Sequence, residues 1–429
     1  MKTNIYLSMC IVILLLNPCN TLAVTDAGLL FLLISASPNA NGMGGVSVGL
    51  PAADPMASIF NPAQLGVFSL QNYYSIGFYP NDVQWLPKFA NNLRYDCLAF
   101  NFGFNLKKFH QKIPIGIGFG YHTIFLDLGP QIITGETGPE PIGYLNSFER
   151  VKAWTLSFGI DYMIQASAGW NFKNIRSGPG LAGATVEAAS GDPEINSRDF
   201  GFLVQVPLLK LTQQITKQNF LPIPDLKPFF MPALGYSRCN VGDEIIYIDA
   251  AQTDPQPRIA RLGLSFNMGI SYTKCPYEWR LLAFRWSTEA EDLLVDRHDD
   301  GQLYYRNNLG DIRFISHLLQ GKAAPTILEK RKGWEINLFD LLFIRQGVHE
   351  DIEGRIYNRT TGRGIQLSGL FKLMRWIDLN VAHIGILCLP GFKLLFEHFD
   401  VRYHYAKYDA GTGHPMNETL FQGINVVIY

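Results

Sequence analysis

Residues 100–106 read Phe-Asn-Phe-Gly-Phe-Asn-Leu, a strict alternation between large apolar residues and small or polar ones. Successive side chains of a β-strand point to opposite faces, so this stretch predicts a strand with one wholly apolar face. The same alternation returns at residues 115–121, 154–162 and 262–270. On the second face these strands carry mainly Gly, Ser, Thr and Asn, where a soluble barrel or sandwich would carry charged residues. The pattern therefore favours a membrane barrel, with apolar side chains facing lipid and small or polar ones facing the lumen.

The composition of the chain supports this interpretation. Among its 429 residues 17% are charged, below the roughly 25% of soluble proteins, and 13% are aromatic. The formal net charge of -1 argues against nucleic acid as a partner. After the N-terminal leader no apolar run reaches the ~18 residues of a spanning helix, since the nearest candidate, residues 379–396, contains His383, Pro390 and Lys393. A large soluble all-β protein is the competing interpretation.

The number of strands follows from counting such segments. About 13 segments read as strands, and single-chain bacterial barrels have an even number, so we predict a transmembrane antiparallel β-barrel of about 14 strands. We expect the missing strand between Gly333 and Gln346. The segment Phe399–Ala406 carries charges on its second face, which suits a lumen that holds ion pairs. The chain ends on an apolar strand closed by Tyr429, a terminal aromatic that resembles the assembly signal read by the barrel-assembly machinery.

The chain divides into three predicted regions. Met1–Ala23 combines Lys2, an apolar core and a Thr-Leu-Ala end, which predicts a secretory signal peptide. Residues 24–68 are rich in Gly, Ala and Pro and nearly free of charge, and such small residues allow close backbone approach. We therefore predict that they form an N-terminal plug segment. Residues 69–429 form the predicted barrel, which we place in the cell outer membrane in contact with its lipid.

Within the plug segment, one ordered set of residues resembles the start of PorV/PorQ proteins, which belong to the FadL-like group of outer-membrane barrels. The set comprises a glycine cluster, an aspartate and an Asn-Pro-Ala motif, namely Gly42, Gly44, Gly45, Asp54, Asn61, Pro62 and Ala63. The resemblance implies that the Asn-Pro-Ala motif lies in a segment that enters or lines the barrel. Residues 199–203, 235–247, 257–263, 333–347 and 360–364 also resemble the family, whereas residues 287–331 and 379–396 look like insertions.

No set of residues with catalytic or metal-binding spacing stands out. Residues 45–49 match the letters of a nucleophile elbow, but that motif needs a strand before the serine and a helix after it, and Pro51 follows closely. The cysteines match no zinc-site spacing, and the acidic loop that begins near Asp292 lacks the spacing of an EF-hand. We therefore predict a non-enzymatic protein with no catalytic residue, no metal and no cofactor.

Two functions are compatible with such a barrel. The resemblance to PorV-like proteins implies a type IX secretion component, whose partners are the translocon and the C-terminal domains of exported cargo. The wider FadL-like group implies a transporter, in which a hydrophobic ligand enters the lumen and the N-terminal segment moves to let it pass. In a transporter, Phe31 and Leu33 near the plug, and Asp161 and Arg402 in the lumen, would matter. On the PorV/PorQ resemblance we expect the secretion component, with the FadL-like transporter as the alternative.

Overall fold

The computed structural model describes residues 27–71, 73–108, 114–134, 140–178, 193–217, 225–246, 253–273, 279–297, 303–306, 309–320, 328–377 and 398–428. The signal peptide predicted for Met1–Ala23 lies outside the described residues, and so does Tyr429. The same is true of Cys275, Cys388 and residues 379–396.

Fourteen antiparallel strands form a sheet that closes on itself. Each strand pairs with its neighbours along the chain, and β1 pairs with both β2 and β14, which closes the barrel. The predicted all-β membrane barrel of about 14 strands is therefore confirmed. The strands are β1 (Tyr74–Phe78), β2 (Arg94–Asn105), β3 (Ile115–Thr134), β4 (Pro141–Asp161), β5 (Gln165–Ser177), β6 (Glu194–Gln205), β7 (Leu226–Gly242), β8 (Ile259–Tyr272), β9 (Trp279–Leu293), β10 (Leu328–Leu338), β11 (Leu342–Asp351), β12 (Ile356–Gln366), β13 (Phe399–Asp409) and β14 (Leu420–Ile428).

Several short strands and turns connect or extend the strands of the barrel. One further strand was expected between Gly333 and Gln346, but this interval holds the end of β10, a tight turn and the start of β11. Val83–Gln84 pairs with the start of β2. Two small hairpins lie in the connections, one formed by Ile245–Ile246 with Thr253–Asp254 and the other by Val295–Arg297 with Leu303–Tyr305.

The side chains of the barrel wall alternate as the sequence predicts. On β4, Trp154 is 65% exposed and Phe158 is 42% exposed on the outer surface, while Thr155 and Ser157 are buried in the lumen. Large apolar residues outside and small polar residues inside are the reverse of a soluble barrel. Such an outer surface needs lipid around it, so the barrel lies in the outer membrane.

The described part of the chain contains four α-helices besides the strands. The first two, α1 (Pro38–Asn41) and α2 (Ala63–Ser69), precede the barrel, and α3 (Leu208–Thr216) and α4 (Leu367–Ile377) connect β6 to β7 and β12 to β13. Helix α1 starts where it does because Ser37 accepts the N–H of Ala40 at 3.0 Å and proline follows the cap. No helix in the described part of the chain is long and apolar enough to cross a membrane. The remaining helical turns are Leu30–Leu33, Pro55–Ile59 and Leu106–Lys108, which are 3-10 helices, and Phe314–Leu319, which is a π-helix.

The two ends of the barrel differ, and we name them by their chain segments. The terminal end is the one where β1 begins at Tyr74 and β14 ends at Ile428. It carries α3, α4 and the turns at residues 162–164 and 339–341. The loop end is the opposite one, where the connections from β1 to β2, from β7 to β8 and from β9 to β10 lie.

Candidate functional site

The N-terminal segment lies inside the barrel and fills its middle, and we call residues 27–71 the plug. Near the loop end, the N–H of Gly28 donates to the carbonyl of Pro255 at 3.0 Å. From there the plug runs through α1, which contacts β12, β13 and β14, to α2, which contacts β2 to β6 nearer the terminal end. Its side chains are deeply buried, since Met56 is 0% exposed and Met43 is 1% exposed. The plug therefore touches nearly the whole inner wall.

A ring of glycines on the inner wall allows the backbones of plug and barrel to meet. A methyl group added at Gly333 would lie 2.8 Å from the Cα of Met43, and one added at Gly263 would lie 2.7 Å from the amide nitrogen of Gly49. Neither position has room for a side chain, so the backbone of the plug packs directly against the backbone of the wall. We call the fourteen described wall glycines that contact the plug the glycine ring: Gly77, Gly103, Gly116, Gly118, Gly120, Gly159, Gly169, Gly201, Gly235, Gly263, Gly333, Gly347, Gly362 and Gly423.

Side chains of the wall also satisfy the backbone of the plug. One carboxylate oxygen of Glu289 on β9 accepts the N–H groups of Ser47 at 2.9 Å and Val48 at 3.0 Å. The hydroxyl of Ser265 on β8 donates to the carbonyl of Gly49 at 2.7 Å. A buried backbone group left without a partner costs about 1–3 kcal/mol, so these bonds stabilise an irregular chain inside the lumen. Further carbonyls receive bonds from Asn101 to Pro55, from Asn171 to Ser58, from Ser167 to Ala63 and from Arg402 to Ala53.

The Asn-Pro-Ala motif lies where the plug crosses β5 and β6. The amide of Asn61 donates to the carbonyls of Val48 at 2.8 Å and Phe202 at 3.1 Å, which ties two turns of the plug to β6. Its oxygen accepts the N–H of Ala63 at 3.0 Å and so starts α2. Pro62 lies against the glycine-ring residue of β5, and Ala63 is fully buried. The Asn-Pro-Ala motif thus connects two segments of the plug to each other and to the barrel wall.

The predicted glycine cluster contacts the wall on β10 to β12. The backbone of Gly42 meets that of Gly362. Gly44 and Gly45 have φ angles of +77° and +81°, a left-handed conformation that glycine adopts without strain. The N–H of Gly44 donates to the Thr360 hydroxyl at 2.8 Å. These three glycines therefore turn the chain where no side chain would fit.

Asp54 links the two halves of the plug. One of its carboxylate oxygens accepts the Ser37 hydroxyl, and the other accepts the N–H of Met56 at 3.0 Å. Asn425 on β14 donates to the same carboxylate at 3.3 Å. The predicted motif residues therefore all lie in the plug, but they do not converge on one point. They form separate contacts along its length.

Buried ion pairs in the wall were not located from the sequence, apart from the lumen charges expected on β13. There, Arg402 and Asp400 pair at 2.7 Å, which confirms that expectation. The undetected pairs include Arg261 with Glu291 at 2.7 Å and Arg345 with Glu335 at 2.6 Å. The Arg261 guanidinium also lies 4.1 Å from the ring centroid of Phe60 in the plug. The sequence offers one signal for these pairs, the charged residues at alternate positions of β9. The alternation alone does not identify their partners, because the pairing depends on the register between β8 and β9.

Near the loop end the lumen is apolar. Phe31, Leu32 and Ile34 of the plug pack into one buried cluster with barrel residues. Tyr95 donates its hydroxyl to the carbonyl of Ile34 at 3.3 Å, and Tyr79 donates to Ala36. Residues 29–36 thus occupy an apolar compartment of the barrel. Its walls include Ile124, Leu126, Val151, Ala153, Ile175, Ile195 and Phe421.

At the terminal end a cavity of about 920 Å³ opens beneath the plug, and we call it the vestibule. Pro51 and Ala53 of the plug line it, and so do Asp161 and Arg402, which the sequence singled out. The structure therefore places those two residues in the vestibule and Phe31 in the apolar compartment. The cationic residues of the vestibule are Lys210, Lys227, Arg280, Arg285, Lys372, Arg375 and Arg402.

The carboxylate of Asp340 in the β10–β11 turn belongs to the vestibule. It pairs with Arg280 at 3.0 Å and with Lys372 at 3.3 Å. Burial acts to raise the pKa of Asp340, but the two cations and a hydrogen bond from Asn337 outweigh burial and hold that pKa at about 2. Asp340 is therefore a fixed negative charge that orders the cations around it.

Metal chemistry finds no support in the described part of the chain. There, no group of three or more His, Cys, Asp or Glu residues is arranged to hold an ion. Cys97 and Cys239 are buried free thiols, and the Cys239 thiol lies 3.4 Å from the carbonyl of Phe60.

Comparison with known proteins gives a likeness of fold. No protein-family model matches the chain, and no curated protein matches it. Among solved structures, the Ralstonia pickettii toluene transporter TbuX is 13% identical, with a TM-score of 0.39 over 91% of this chain and 96% of that one. The CymD monoaromatic hydrocarbon channel is 11% identical, with a TM-score of 0.36 over 92% and 97%. A Pseudomonas aeruginosa FadL homologue is 10% identical, with a TM-score of 0.34 over 92% and 96%.

The class of this protein rests on its own architecture. A closed barrel of fourteen strands around an N-terminal plug, with an apolar outer surface, has the architecture of an outer-membrane β-barrel. The finer resemblance to PorV/PorQ proteins is carried by sequence motifs alone.

Proposed function

We propose that this protein is a non-enzymatic transporter that moves hydrophobic small molecules across the outer membrane. The observation that carries the proposal is the apolar compartment near the loop end. Ile124, Val151 and Ile175 line a lumen surface that water or an ion would not favour. The plug residues 29–36 fill this space now, so a ligand of similar polarity would replace them.

The orientation of the barrel gives the path a direction. Short turns face the periplasm in bacterial barrels, and longer loops face outward. The tight turns at residues 162–164 and 339–341 lie at the terminal end, whereas the long connection from β9 to β10 lies at the loop end. We therefore place the apolar compartment toward the cell exterior and the vestibule toward the periplasm.

Passage through the barrel requires the plug to move. The glycine ring closes the middle of the lumen around residues 38–70 of the plug. The part nearest the loop end is bonded to the wall mainly by the Tyr95 and Tyr79 hydroxyls, whereas the middle is bonded by Glu289, Ser265, Asn101, Asn171 and Ser167. Residues 29–36 would therefore move first when a ligand enters, and the middle of the plug would follow.

Uptake measurements test the proposal. Cells that produce the protein in their outer membrane should accumulate radiolabelled toluene or octane faster than cells without it. The double variant Ile124→Asn and Val151→Asn should lose most of this gain, because it makes the apolar compartment polar. Leu309→Asn is the matched control, since Leu309 is 42% exposed near the loop end and outside that compartment. Equal uptake with and without the protein would refute transport.

The PorV/PorQ resemblance supports a second candidate, a component of type IX secretion. That function predicts a translocon barrel and the C-terminal domains of exported cargo as partners. A gentle-detergent pull-down of the tagged protein, read by mass spectrometry, tests for them. Their recovery, together with unchanged hydrocarbon uptake, would replace the transport proposal.

A further inference from the structure

The described lining of the vestibule is rich in positive charge. Seven Lys and Arg side chains line it, against the carboxylates of Asp161 and Asp340. Two buried carboxylates on the lumen face of the wall also pair with lining cations, Glu335 with Arg285 at 3.4 Å and Asp400 with Arg402 at 2.7 Å. Among the described residues, cations therefore outnumber carboxylates around this one cavity.

These cations come from separate elements and converge on the cavity. Lys210 lies on α3, Lys227 on β7, and both are exposed to solvent. Arg280 and Arg285 lie on β9, and Lys372 and Arg375 lie on α4. A concave wall lined by one sign of charge concentrates ions of the opposite sign, and arginine pairs well with phosphate oxygens. A phosphate group offers more acceptor oxygens than a carboxylate does, so it can pair with cations from several of these elements at once.

One side of the vestibule is apolar. Phe229 and Met231 of β7 lie there with Val67 and Phe68 of the plug, and Phe371 of α4 lines the same cavity. A ligand that contacts both the cations and this apolar side of the vestibule would need an anionic group joined to an apolar part.

Helix α4 separates the vestibule from the lipid. Its residues Phe371, Lys372 and Arg375 line the cavity. The opposite face carries Leu370, Met374 and Ile377, which are spaced three or four residues apart and are 37%, 44% and 42% exposed. This apolar stripe follows directly on Ile365, a lipid-facing residue of β12 that is 54% exposed. The stripe therefore continues the lipid-facing surface of the barrel.

From these observations we propose that the vestibule binds an organic phosphate, supplied as the headgroup of a phospholipid from the adjacent membrane leaflet. The cations hold the phosphate, and Phe229, Met231 and Phe371 hold the start of the acyl chains. The site lies on the other side of the plug from the apolar compartment, so it does not depend on the proposed transport of hydrophobic molecules.

Binding to the purified full-length protein in an uncharged detergent tests the proposal. The probes are dihexanoyl phosphatidic acid, glycerol 3-phosphate and inorganic phosphate, measured by isothermal titration calorimetry. We expect the short-chain lipid to bind at least about tenfold more tightly than glycerol 3-phosphate, because it alone reaches the apolar side.

Two variants assign the binding to the vestibule. The double variant Lys210→Gln and Lys227→Gln should weaken lipid binding by about tenfold or more, since it removes two of the cations that hold the phosphate. Lys107→Gln is the matched control, because Lys107 is exposed at the same end but does not line the cavity. Heat-modifiable mobility on a gel confirms that each variant is folded.

The other outcomes overturn the proposal in whole or in part. No binding of any probe, or equal weakening in Lys107→Gln, would remove the site. Inorganic phosphate binding as tightly as the lipid would keep a phosphate site and overturn the lipid source. None of these results depends on hydrocarbon uptake, so failure here leaves the transport proposal standing.

Discussion

Adding one methyl group to the glycine ring should loosen the plug while leaving the barrel intact. Gly235 on β7 is the best position, because its new Cβ would lie 2.6 Å from the carbonyl carbon of Val48 and 2.8 Å from the Cα of Gly49, and in contact with the Val48 oxygen. Carbon atoms pack at about 3.5–4.0 Å, so the plug backbone must withdraw by about 1 Å. That displacement pulls the Val48 carbonyl away from the Asn61 amide, which it meets at 2.8 Å.

The magnitude of the effect follows from these two changes. Forcing a methyl group into a packed site costs about 1–3 kcal/mol, and losing one hydrogen bond costs about 1 kcal/mol more. The state with the plug in its lumen position should therefore be destabilised by about 2–4 kcal/mol relative to the state with the plug displaced. Since about 1.4 kcal/mol corresponds to a factor of ten, the equilibrium population of the displaced state should rise by about 30- to 700-fold. The strand itself keeps its backbone pairing with β6 and β8.

Single-channel recording in planar bilayers measures this change. We expect Gly235→Ala to show frequent openings where the unmodified protein stays closed, with the same heat-modifiable folded band. Ala168→Val is the matched control, because Ala168 lies between two inward residues on β5 and so points to the outer surface. A closed Gly235→Ala barrel, or equal openings in the control, would refute the reasoning that the glycine ring holds the plug.

Three further predictions concern other parts of the molecule. Replacing Asn61-Pro62-Ala63 by Ser-Gly-Ser should increase protease access to the plug more than it reduces the folded barrel; equal loss of the heat-resistant species would contradict this. Deleting Tyr429 should slow assembly, so a pulse-chase should show delayed arrival of the folded species in outer membranes, and normal kinetics would rule out the assembly signal. Asp340→Asn should lower the unfolding free energy at pH 7 by about 2 kcal/mol, since the pKa falls from 3.8 to about 2 on folding. The stabilisation by Asp340 is present above pH about 4 and is lost as the pH falls through about 2. An equal difference in unfolding free energy between variant and unmodified protein at both pH values, or the same loss in Asp161→Asn, would argue against the ion pairs.

The barrel itself was predictable because its signal is local. The alternation at residues 100–106 and 154–162 shows which face of each strand meets lipid, and the structure keeps those faces. The interval from Gly333 to Gln346, where one further strand was expected, instead contains parts of two strands, β10 and β11. A period of two residues can be read without knowing any partner strand.

The contacts of the lumen were less predictable because they join distant parts of the chain. Glu289 accepts hydrogen bonds from the N–H groups of Ser47 and Val48, and the sequence around either segment does not predict this contact. The vestibule cations likewise come from two helices and three strands, whose convergence depends on the register of the whole sheet. The small residues of the plug signalled close packing, but they did not say which strand each would touch.

The long reach of the plug bonds has a consequence for the order of folding. Gly44 bonds to Thr360 across 316 positions, the carbonyl of Ala53 to Arg402 across 349, and Asp54 to Asn425 across 371. Contacts of such sequence separation form late, because most of the chain must first be ordered. A chain that stops before its last two strands lacks the donors for Ala53 and Asp54. The state of the N-terminal segment therefore reports whether the C-terminal strands have been completed.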